Sequence, residues 1–250
     1  MIQDERRNQI LNICELKGFV SLQELADELD ASESTIRRDL EYLDGLGQVR
    51  RARGGAVFVG ESLKAFEDRT SDNSAVKQRI AEVAANLIEP GEAVILDGGT
   101  TTFEVARKLA HLPLMVVTNS LAIANLMAGH SHIELTMIGG YVYPKTGVSL
   151  GPVAVEALKC INVRKLIMSV GGITEKGLYN SNNLLVETER QMMDSADEVI
   201  VVADHQKFGH SALAHLCSLD RMDRLVVDRD LSEEWKDKIR QHGVELIEEK

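Results

Sequence analysis

Apolar residues recur at helical spacing three times in the first sixty residues, and an alternating pattern follows. The first helical pattern runs from Asp4 to a stop at Gly18. The second begins with the capping-box sequence at Ser21 and runs to Leu29. The third follows a cap at Ser32. From Val49 the pattern alternates and Gly54-Gly55 turns the chain, so the segment is predicted to be three helices followed by a β-hairpin.

The third helix is predicted to have one apolar and one polar face. Its inward positions are Ile36, Leu40 and Leu43, and Asp39 falls near this side as a structural ion-pair or cap partner. The outward positions are Ser34, Arg37, Arg38 and Glu41, with Thr35 at the flank. Two short helices joined by a tight turn, with hydroxyls and arginines at the start of the second, are typical of a helix-turn-helix that enters the major groove of DNA.

The predicted hairpin adds a second group of cations. The segment 46–58 carries Arg50, Arg51 and Arg53 and no acidic residue, which suits DNA phosphates or the minor groove. A small helical packing module with merely solvated arginines is the alternative, and the order of the elements disfavours it.

These residues resemble the winged helix of the DeoR family of bacterial sugar-operon regulators. The matching run is Ser32-x-x-Thr35-Ile36-Arg37-Arg38-Asp39-Leu40, followed by Leu43-x-x-x-Gly47-x-Val49-x-Arg51-x-x-Gly54-Gly55-Ala56. The resemblance covers essentially all of residues 3–58 and implies that residues 20–39 contact operator DNA. The candidate DNA-binding residues are Ser32, Ser34, Thr35, Arg37, Arg38, Arg50, Arg51 and Arg53.

A different pattern begins after residue 73. Residues 60–73 lack a period and are predicted to link a DNA-binding domain, residues 1–59, to a second domain, residues 74–250. A helix over 74–88 is followed by short β-branched runs at 93–96, 115–118, 133–138, 166–170, 199–203, 225–227 and 244–247. Helical stretches at 103–109, 121–127, 153–158, 185–195 and 233–242 lie between many of them. This alternation predicts an α/β domain with a mostly parallel sheet and helices on both faces.

Glycines and polar residues follow the ends of five of these strands. The run Asp97-Gly98-Gly99-Thr100-Thr101-Thr102 couples close backbone approach with hydroxyls and amides at a helix start, where anions bind. The carboxyl ends of such strands lie along one edge of the sheet, so the loops can converge on a cleft that suits a phosphorylated polyol or sugar. The candidate effector-binding residues are Asp97, Gly99, Thr100, Thr101, Thr102, Thr118, Asn119, Gly139, Gly140, Gly171, Gly172, Asp204 and Lys207.

The resemblance to the DeoR family extends across this second half and includes Glu187 among the matching positions. It implies a domain similar to the sugar-phosphate isomerase and deaminase fold, retained as a sensor of phosphorylated sugars. Two positions depart from the family pattern. Tyr143 replaces a common arginine, with Lys145 the nearest cation, and Tyr179-Asn180 replaces a common threonine or serine. Both departures leave the identity of the effector open.

Charge and composition permit this interpretation without demanding it. The 250 residues, enough for two domains, have a net charge of −11, and residues 1–58 hold 8 Lys/Arg against 11 Asp/Glu. DNA binding must therefore rest on local arginine clusters. Three distant cysteines read as reduced thiols, apolar runs are too short to cross a membrane, and no signal peptide is evident, so the expected location is cytoplasmic. The histidine spacings predict no metal site, and no cofactor is expected.

The sequence thus predicts a DNA-binding transcriptional regulator, a repressor of a carbohydrate operon that responds to a phosphorylated sugar. Such a module is expected to act as a homo-oligomer, a dimer or tetramer, on double-stranded operator DNA. The alternative is an isomerase or deaminase with an appended DNA module, with Asp97 and Asp204 as acid and base and Glu187 a less certain third group. We expect no enzymatic activity, because a DNA-binding winged helix would have no function in such an isomerase or deaminase. An NAD-dependent redox sensor is disfavoured, because the loop at Gly98-Gly99 lacks the GxGxxG pattern.

Overall fold

The chain divides into two compact units, residues 1–63 and 64–250. The computed structural model describes residues 6, 7, 9, 10, 13, 14, 17, 19–45, 49–52, 54–58, 73–144 and 146–249. The predicted linker, residues 60–73, lies outside the described residues except for Asn73.

The first unit combines short helices with a three-stranded sheet. Its elements are β1 (Phe19–Ser21), α1 (Leu22–Glu28), α2 (Glu33–Gly45), β2 (Val49–Ala52) and β3 (Gly55–Phe58). Residues 6, 7, 9, 10, 13, 14 and 17 are also helical. The strands are antiparallel in the order β1-β3-β2, so β3 pairs with both neighbours. The predicted winged helix-turn-helix is confirmed, with β1 as an additional strand that the sequence did not predict.

The apolar positions predicted for the third helix form the core of this unit. Ile36, Leu40 and Leu43 are at most 2% exposed. They belong to one cluster with Ile10, Cys14, Val20, Leu25, Leu29, Val49 and Ala56. This packing fixes which face of α2 is left for solvent.

The second unit alternates strands with helices. Its strands are β4 (Ala93–Leu96), β5 (Leu114–Thr118), β6 (Ile133–Met137), β7 (Tyr141–Tyr143), β8 (Val148–Leu150), β9 (Val163–Met168), β10 (Gly172–Thr174), β11 (Gly177–Asn180), β12 (Ala196–Ala203), β13 (Ala214–Cys217), β14 (Arg224–Val227) and β15 (Glu245–Glu248). Its helices are α3 (Ser74–Ala85), α4 (Thr100–Leu109), α5 (Leu121–Met127), α6 (Pro152–Leu158), α7 (Asn183–Asp194) and α8 (Glu233–Gln241).

Seven of these strands form a parallel sheet in the order β15-β14-β12-β9-β4-β5-β6. Its two faces are covered by different helices. Residues of α3, α4 and α5 pack on one face, around Val94 and Leu96. Residues of α6, α7 and α8 pack on the other, around Ile95 and Leu166. This confirms the predicted mostly parallel sheet with helices on both faces.

Two smaller sheets complete the unit, and the sequence did not predict their strands. β7 and β8 form an antiparallel hairpin, and β10, β11 and β13 form an antiparallel sheet in that order. In the part of the chain that the structure describes, no helix is both long and apolar enough to cross a membrane.

The strand order places a crevice between β4 and β9. From β4 the chain proceeds through β5 to β6 at one edge, and from β9 through β12 and β14 to β15 at the other. The strand order therefore reverses between β4 and β9, and the carboxyl ends at such a point form the usual ligand crevice of open α/β sheets.

Candidate nucleic-acid interface and effector site

The outer face of α2 presents the guanidinium groups of two arginines. Arg37 and Arg38 are both exposed, and neither forms an ion pair within the described part of the first unit. Ser34 is exposed and Thr35 half-buried on the same helix. The helix therefore offers two guanidinium donors and two hydroxyls to a ligand that lies along this face, as the sequence predicted.

The hydroxyls at the start of α2 are bonded to one another and to the helix. Ser32 Oγ accepts a hydrogen bond from the Thr35 amide at 3.3 Å, which makes Ser32 a helix cap. Ser32 Oγ also lies 3.0 Å from Ser34 Oγ and 2.8 Å from Thr35 Oγ1. Ser32 has therefore a structural task, and its predicted contact with DNA stays a prediction.

Asp39 anchors α2 from its buried side. It is 1% exposed and accepts hydrogen bonds from Arg6 Nε at 2.7 Å and Arg7 Nε at 3.0 Å. The Arg7 guanidinium also lies 3.6 Å from the centroid of the Tyr42 ring. The predicted structural role of Asp39 is confirmed.

The hairpin extends the cationic surface. Arg50 and Arg51 are exposed on β2, and Arg51 Nη1 pairs with Glu41 Oε1 of α2 at 2.9 Å. Arg53 lies outside the described residues. Ala52 pairs with Gly55, so Gly55 belongs to β3 and not to the predicted Gly54-Gly55 turn.

In the second unit, Asp97 and two glycines line the crevice between β4 and β9. Asp97 is 2% exposed, and its amide donates to Ile167 O at the end of β9, at 3.0 Å. A Cβ atom on Gly99 would lie 1.7 Å from Ser169 Oγ, so only glycine allows this loop to approach the end of β9 so closely. A Cβ on Gly98 would lie 2.0 Å from Val148 Cγ1.

The three threonines after Gly99 form the first turn of α4. Thr100, Thr101 and Thr102 are between 0% and 8% exposed, and Gly99, the residue before the helix, provides no side-chain cap. Amides of a first turn have no acceptor within the helix, so they can bind an anion. Thr102 Oγ1 is buried without a hydrogen-bond partner among the described residues. The crevice therefore has polar atoms to offer a ligand.

In the loop after β5, the side-chain amide of Asn119 is available to a ligand, whereas the hydroxyl of Thr118 is not. Thr118 Oγ1 donates to Leu96 O at 2.6 Å and accepts from the Ser120 amide at 3.1 Å, so its hydroxyl is used within the fold. Asn119 is fully buried and donates through Nδ2 to Ser149 O at 3.2 Å. Its Oδ1 is buried and accepts no hydrogen bond from the described residues.

The loop after β9 leads to a buried carboxyl group that the sequence interpretation missed. A Cβ on Gly171 would lie 3.2 Å from Asn180 Oδ1 at the end of β11, and Asn180 Nδ2 donates to Glu189 Oε1 of α7 at 2.6 Å. Glu189 is 1% exposed, whereas Glu187, the glutamate singled out from the sequence, is exposed. The available signal was the helical spacing, because Glu189 occupies the apolar face of α7 with Val186 and Met193.

The environment of Glu189 favours its neutral form. Burial raises the pKa of Glu189 well above its usual range, and the nearby charge of Asp97 raises it further. The hydrogen bond from Asn180 opposes these effects without cancelling them. These effects favour the protonated form of Glu189, in which the carboxyl group can donate a hydrogen bond.

The remaining predicted effector residues lie in the loops after β12 and β6 and at the start of β10. Asp204 is 4% exposed and accepts from the Gln206 amide at 3.0 Å, and Lys207, half-buried, ends the same short turn. Gly172 is buried against His210 O. Gly139 and Gly140 are exposed after β6, at the edge of the sheet, and Gly140 packs against Leu150. Effector contact by these residues stays a prediction.

The two departures from the family pattern have packing roles. Tyr143 packs against the cluster of Val148, Leu150 and Leu185, and Lys145 lies outside the described residues. The Tyr179 ring stands edge-on to His215, with centroids 5.2 Å apart. Neither tyrosine thereby identifies a ligand.

Three groups of metal-ligand type lie together at the end of β14. The ligand atoms of His205, Asp228 and Asp230 lie within 4.8 Å of one another. Asp228 already accepts from the His205 amide at 2.6 Å, from the Asp230 amide at 3.1 Å, and contacts His205 Nδ1 at 2.7 Å. Hydrogen bonding within the protein accounts for this arrangement, and the prediction of no metal site stays a prediction.

Comparison with known proteins agrees with this architecture. Residues 6–62 match the model of the DeoR-like helix-turn-helix domain, and residues 72–229 match that of the DeoR C-terminal sensor domain. The chain belongs to the DeoR family. The chain is therefore a DNA-binding transcription regulator, with the helix-turn-helix domain at its amino end and the sensor domain after it.

Relatives of this DeoR-family protein span nearly its whole length. One relative is a protein of Escherichia coli O157:H7 named as an aga operon transcriptional repressor. The two sequences are 33% identical over 97% of this chain and 93% of the relative's length. The HTH-type transcriptional repressor GlcR of Bacillus subtilis (strain 168) is 30% identical over 99% of this chain and 96% of its own. Among solved structures, ribose 5-phosphate isomerase A from Methanocaldococcus jannaschii has a TM-score of 0.41 and 18% identity over 55% of each chain.

Proposed function

We propose that this DeoR-family protein represses a carbohydrate-metabolism operon and that a phosphorylated sugar or related metabolite controls its affinity for operator DNA. One observation supports the DNA-binding part most directly. α2 is fixed from its buried side by Ile36 and Asp39, while Arg37 and Arg38 project from the other side without described ion-pair partners. The repressor activity and the sugar link follow the names of the relatives, the aga operon repressor and GlcR.

In the proposed complex, α2 lies in the major groove. Arg37 and Arg38 pair with guanine edges or neutralise phosphates, and Ser34 and Thr35 bond base edges or phosphates. Arg50, Arg51 and Arg53 of the hairpin contact the flanking backbone or the minor groove. Arg51 first has to leave Glu41, and because both side chains are exposed, that ion pair is worth only about 0–1 kcal/mol.

The crevice between β4 and β9 is the proposed effector site. The phosphate binds to the amides and hydroxyls of the first turn of α4, with Lys207 as a further cationic partner. Asp97 and Asn119, both buried at neighbouring strand ends, bind hydroxyls of the sugar. The residues of this site are Asp97, Gly99, Thr100, Thr101, Thr102, Thr118, Asn119, Gly139, Gly140, Gly171, Gly172, Asp204 and Lys207.

The protein acts in this proposal as a cytoplasmic homo-oligomer. One winged helix reads only a short half-site, so two or more copies bind a repeated operator more tightly than one. The linker, residues 60–73, joins the DNA-binding domain, residues 1–59, to the effector domain, residues 74–250. Effector binding needs to change the DNA affinity by only 5- to 150-fold, about 1–3 kcal/mol.

No catalytic activity, metal or cofactor is part of the proposal. A sugar-phosphate isomerase or deaminase would also place carboxyl groups in the crevice. Its reaction, however, would not explain the exposed arginines of α2. Assays with ribose 5-phosphate and glucosamine 6-phosphate test this point, and steady turnover of either compound would contradict the proposal.

Fluorescence anisotropy with DNA tests the DNA-binding part. The full chain is titrated with a labelled duplex from upstream of its own gene and with a scrambled duplex, at several salt concentrations. We expect the upstream duplex to bind more tightly. We expect Arg38→Ala to weaken that binding by about 1–3 kcal/mol if Arg38 reads a base, or to reduce the salt slope by about 0.9 if it contacts a phosphate.

The control is Arg107→Ala, which removes an arginine from α4 that is 57% exposed in the other unit. This variant should bind DNA like the unmodified protein. Equal binding of both duplexes by the unmodified protein, or unchanged affinity and salt slope in both Arg37→Ala and Arg38→Ala, would contradict the proposed recognition.

A further inference from the structure

Glu189 is an unexpected residue at its position on α7. Its neighbours on the buried face, Val186, Met192 and Met193, are apolar and at most 3% exposed. Glu189 is 1% exposed in the same environment. Burying a carboxyl group is unfavourable unless its oxygens are hydrogen-bonded, so packing alone would favour an apolar residue here.

The hydrogen bonds of this carboxyl group are incomplete. Glu189 Oε1 accepts from Asn180 Nδ2 at 2.6 Å, and Asn180 Oδ1 accepts from the Ser181 amide at 3.0 Å, which fixes the orientation of the Asn180 side chain. Glu189 Oε2 and Ser181 Oγ are both buried and have no hydrogen-bond partner among the described residues. Glu189, Asn180 and Ser181, named here the α7 cluster, therefore keep two polar atoms available.

The α7 cluster lies beside the crevice. Gly171, in the loop after β9, approaches Asn180, and Ser169 of the same loop contacts Gly99 at the start of α4. The charge of Asp97, at the end of β4, acts on Glu189. The loop after β9 thus lies against both the α7 cluster and the start of α4.

We propose that the α7 cluster is the subsite for the uncharged, hydroxyl-bearing part of the effector, with Glu189 as a hydrogen-bond donor to a ligand oxygen. This inference rests on the proposed function, because it adds a specificity residue to the same site.

The chemistry of the two ends of the site is complementary. The first turn of α4 offers amides, which suit the phosphate. The α7 cluster offers the acid proton of Glu189 and the hydroxyl of Ser181, which suit a hydroxyl or carbonyl oxygen. The anionic phosphate is therefore expected at the α4 end, where the helix amides favour negative charge.

Calorimetric titration of the full chain tests the subsite. The probes are ribose 5-phosphate, glucose 6-phosphate, glucosamine 6-phosphate and inorganic phosphate. The measured quantity is the affinity of each sugar phosphate divided by that of inorganic phosphate. Glu189→Ala removes the donor and should lower this ratio by about 3- to 10-fold, the effect of one hydrogen bond. Glu189→Gln retains a donor at the same place and should keep the ratio.

Glu187→Ala is the matched control, because Glu187 lies on the same helix and is exposed. It should leave every affinity unchanged. If Glu189→Ala does not fold, the comparison of the unmodified protein with Glu189→Gln decides the question through pH.

The pH profile distinguishes hydrogen-bond donation from a packing role. Deprotonation removes the donor, so the sugar-phosphate affinity of the unmodified protein should fall relative to that of Glu189→Gln as pH rises. Among the described residues, the titratable groups that interact electrostatically with Glu189 are Asp97 and Cys217. Burial raises the pKa of the Cys217 thiol to about 11, so this thiol is neutral at pH values well below 11.

The outcomes separate this subsite from the proposed function. Two results would overturn the subsite and leave the effector site in place. One is an unchanged ratio of sugar-phosphate to inorganic-phosphate affinity in Glu189→Ala. The other is the same pH profile of sugar-phosphate affinity in the unmodified protein and in Glu189→Gln. Binding of none of the probes by the unmodified protein would contradict the proposed effector and the subsite together.

Discussion

Asp39 shows how one buried residue holds exposed ones in place. On α2, Asp39 follows a residue that faces solvent and precedes one that faces the core. Its carboxylate joins the helix to Arg6 and Arg7, whose side chains are both 15% exposed. Without this carboxylate, two partly buried guanidinium groups would lose their counter-charge. The position of Arg37 and Arg38 on the surface thus depends on a residue that is itself buried.

We expect Asp39→Ala to lower the free energy of unfolding of α2 by about 3 kcal/mol, the effect of breaking a buried ion pair. Hydrogen exchange of the α2 amides in the full chain, read by mass spectrometry, measures this change. Asp27→Ala, at an exposed position of α1, is the control and should stay within about 0.5 kcal/mol of the unmodified protein. Equal exchange in the two variants would contradict the structural role of Asp39.

The same residues show what sequence can predict at this scale. Helical spacing placed Asp39 on the inner side of α2, because three apolar neighbours defined that side. The same spacing places Glu189 on the inner side of α7, whereas the resemblance to the family points to Glu187, which is exposed. The structural use of the Thr118 hydroxyl could not be predicted, because its acceptor, Leu96 O, belongs to another strand.

Among the elements, β3 depends on a close contact at Gly55. A Cβ atom at this position would lie 2.2 Å from Val20 O of β1, a backbone atom that cannot move away without breaking the β1–β3 pairing. The tight pairing holds the hairpin that carries Arg50 and Arg51. Glycine is therefore required here by the distance between two strands.

Gly55→Ala should destabilise the pairing of β1 with β3 by about 2 kcal/mol, within the usual range for such strain. Faster hydrogen exchange in residues 19–21 and 55–58 would report it. Gly45→Ala is the control, because a Cβ there meets no atom within 4 Å, and it should be neutral or slightly stabilising. Equal exchange in both variants would show that the contact of β1 with β3 does not require glycine at position 55.

Periodicity predicted the larger elements and missed the short ones. The seven parallel strands have apolar runs long enough to recognise, although β9 begins at Val163 instead of residue 166. Lys165 interrupts its apolar run, and its buried Nζ donates to Leu87 O at 2.7 Å and pairs with Glu92 at 2.9 Å. The strands β1, β7, β8, β10, β11 and β13 have only three or four residues each, which is too short for a clear alternating pattern. In addition, β1 and β13 pair with strands that are distant in sequence.

For the whole molecule, the central claim is a thermodynamic link between the two units. The family assignment gives the chain a DNA-binding domain and a sensor domain, and the proposed repressor works only if binding at one changes affinity at the other. Such coupling is reciprocal. Bound DNA must change the affinity for the effector by the same factor by which bound effector changes the affinity for DNA.

Reciprocal titration tests this claim most directly. A sugar phosphate that binds the full chain is titrated calorimetrically with and without saturating operator duplex, and the duplex is titrated by anisotropy with and without saturating sugar phosphate. We predict that the two affinities change by the same factor, between about 5 and 150. Unchanged affinities in both titrations, with both ligands bound at once, would contradict the account.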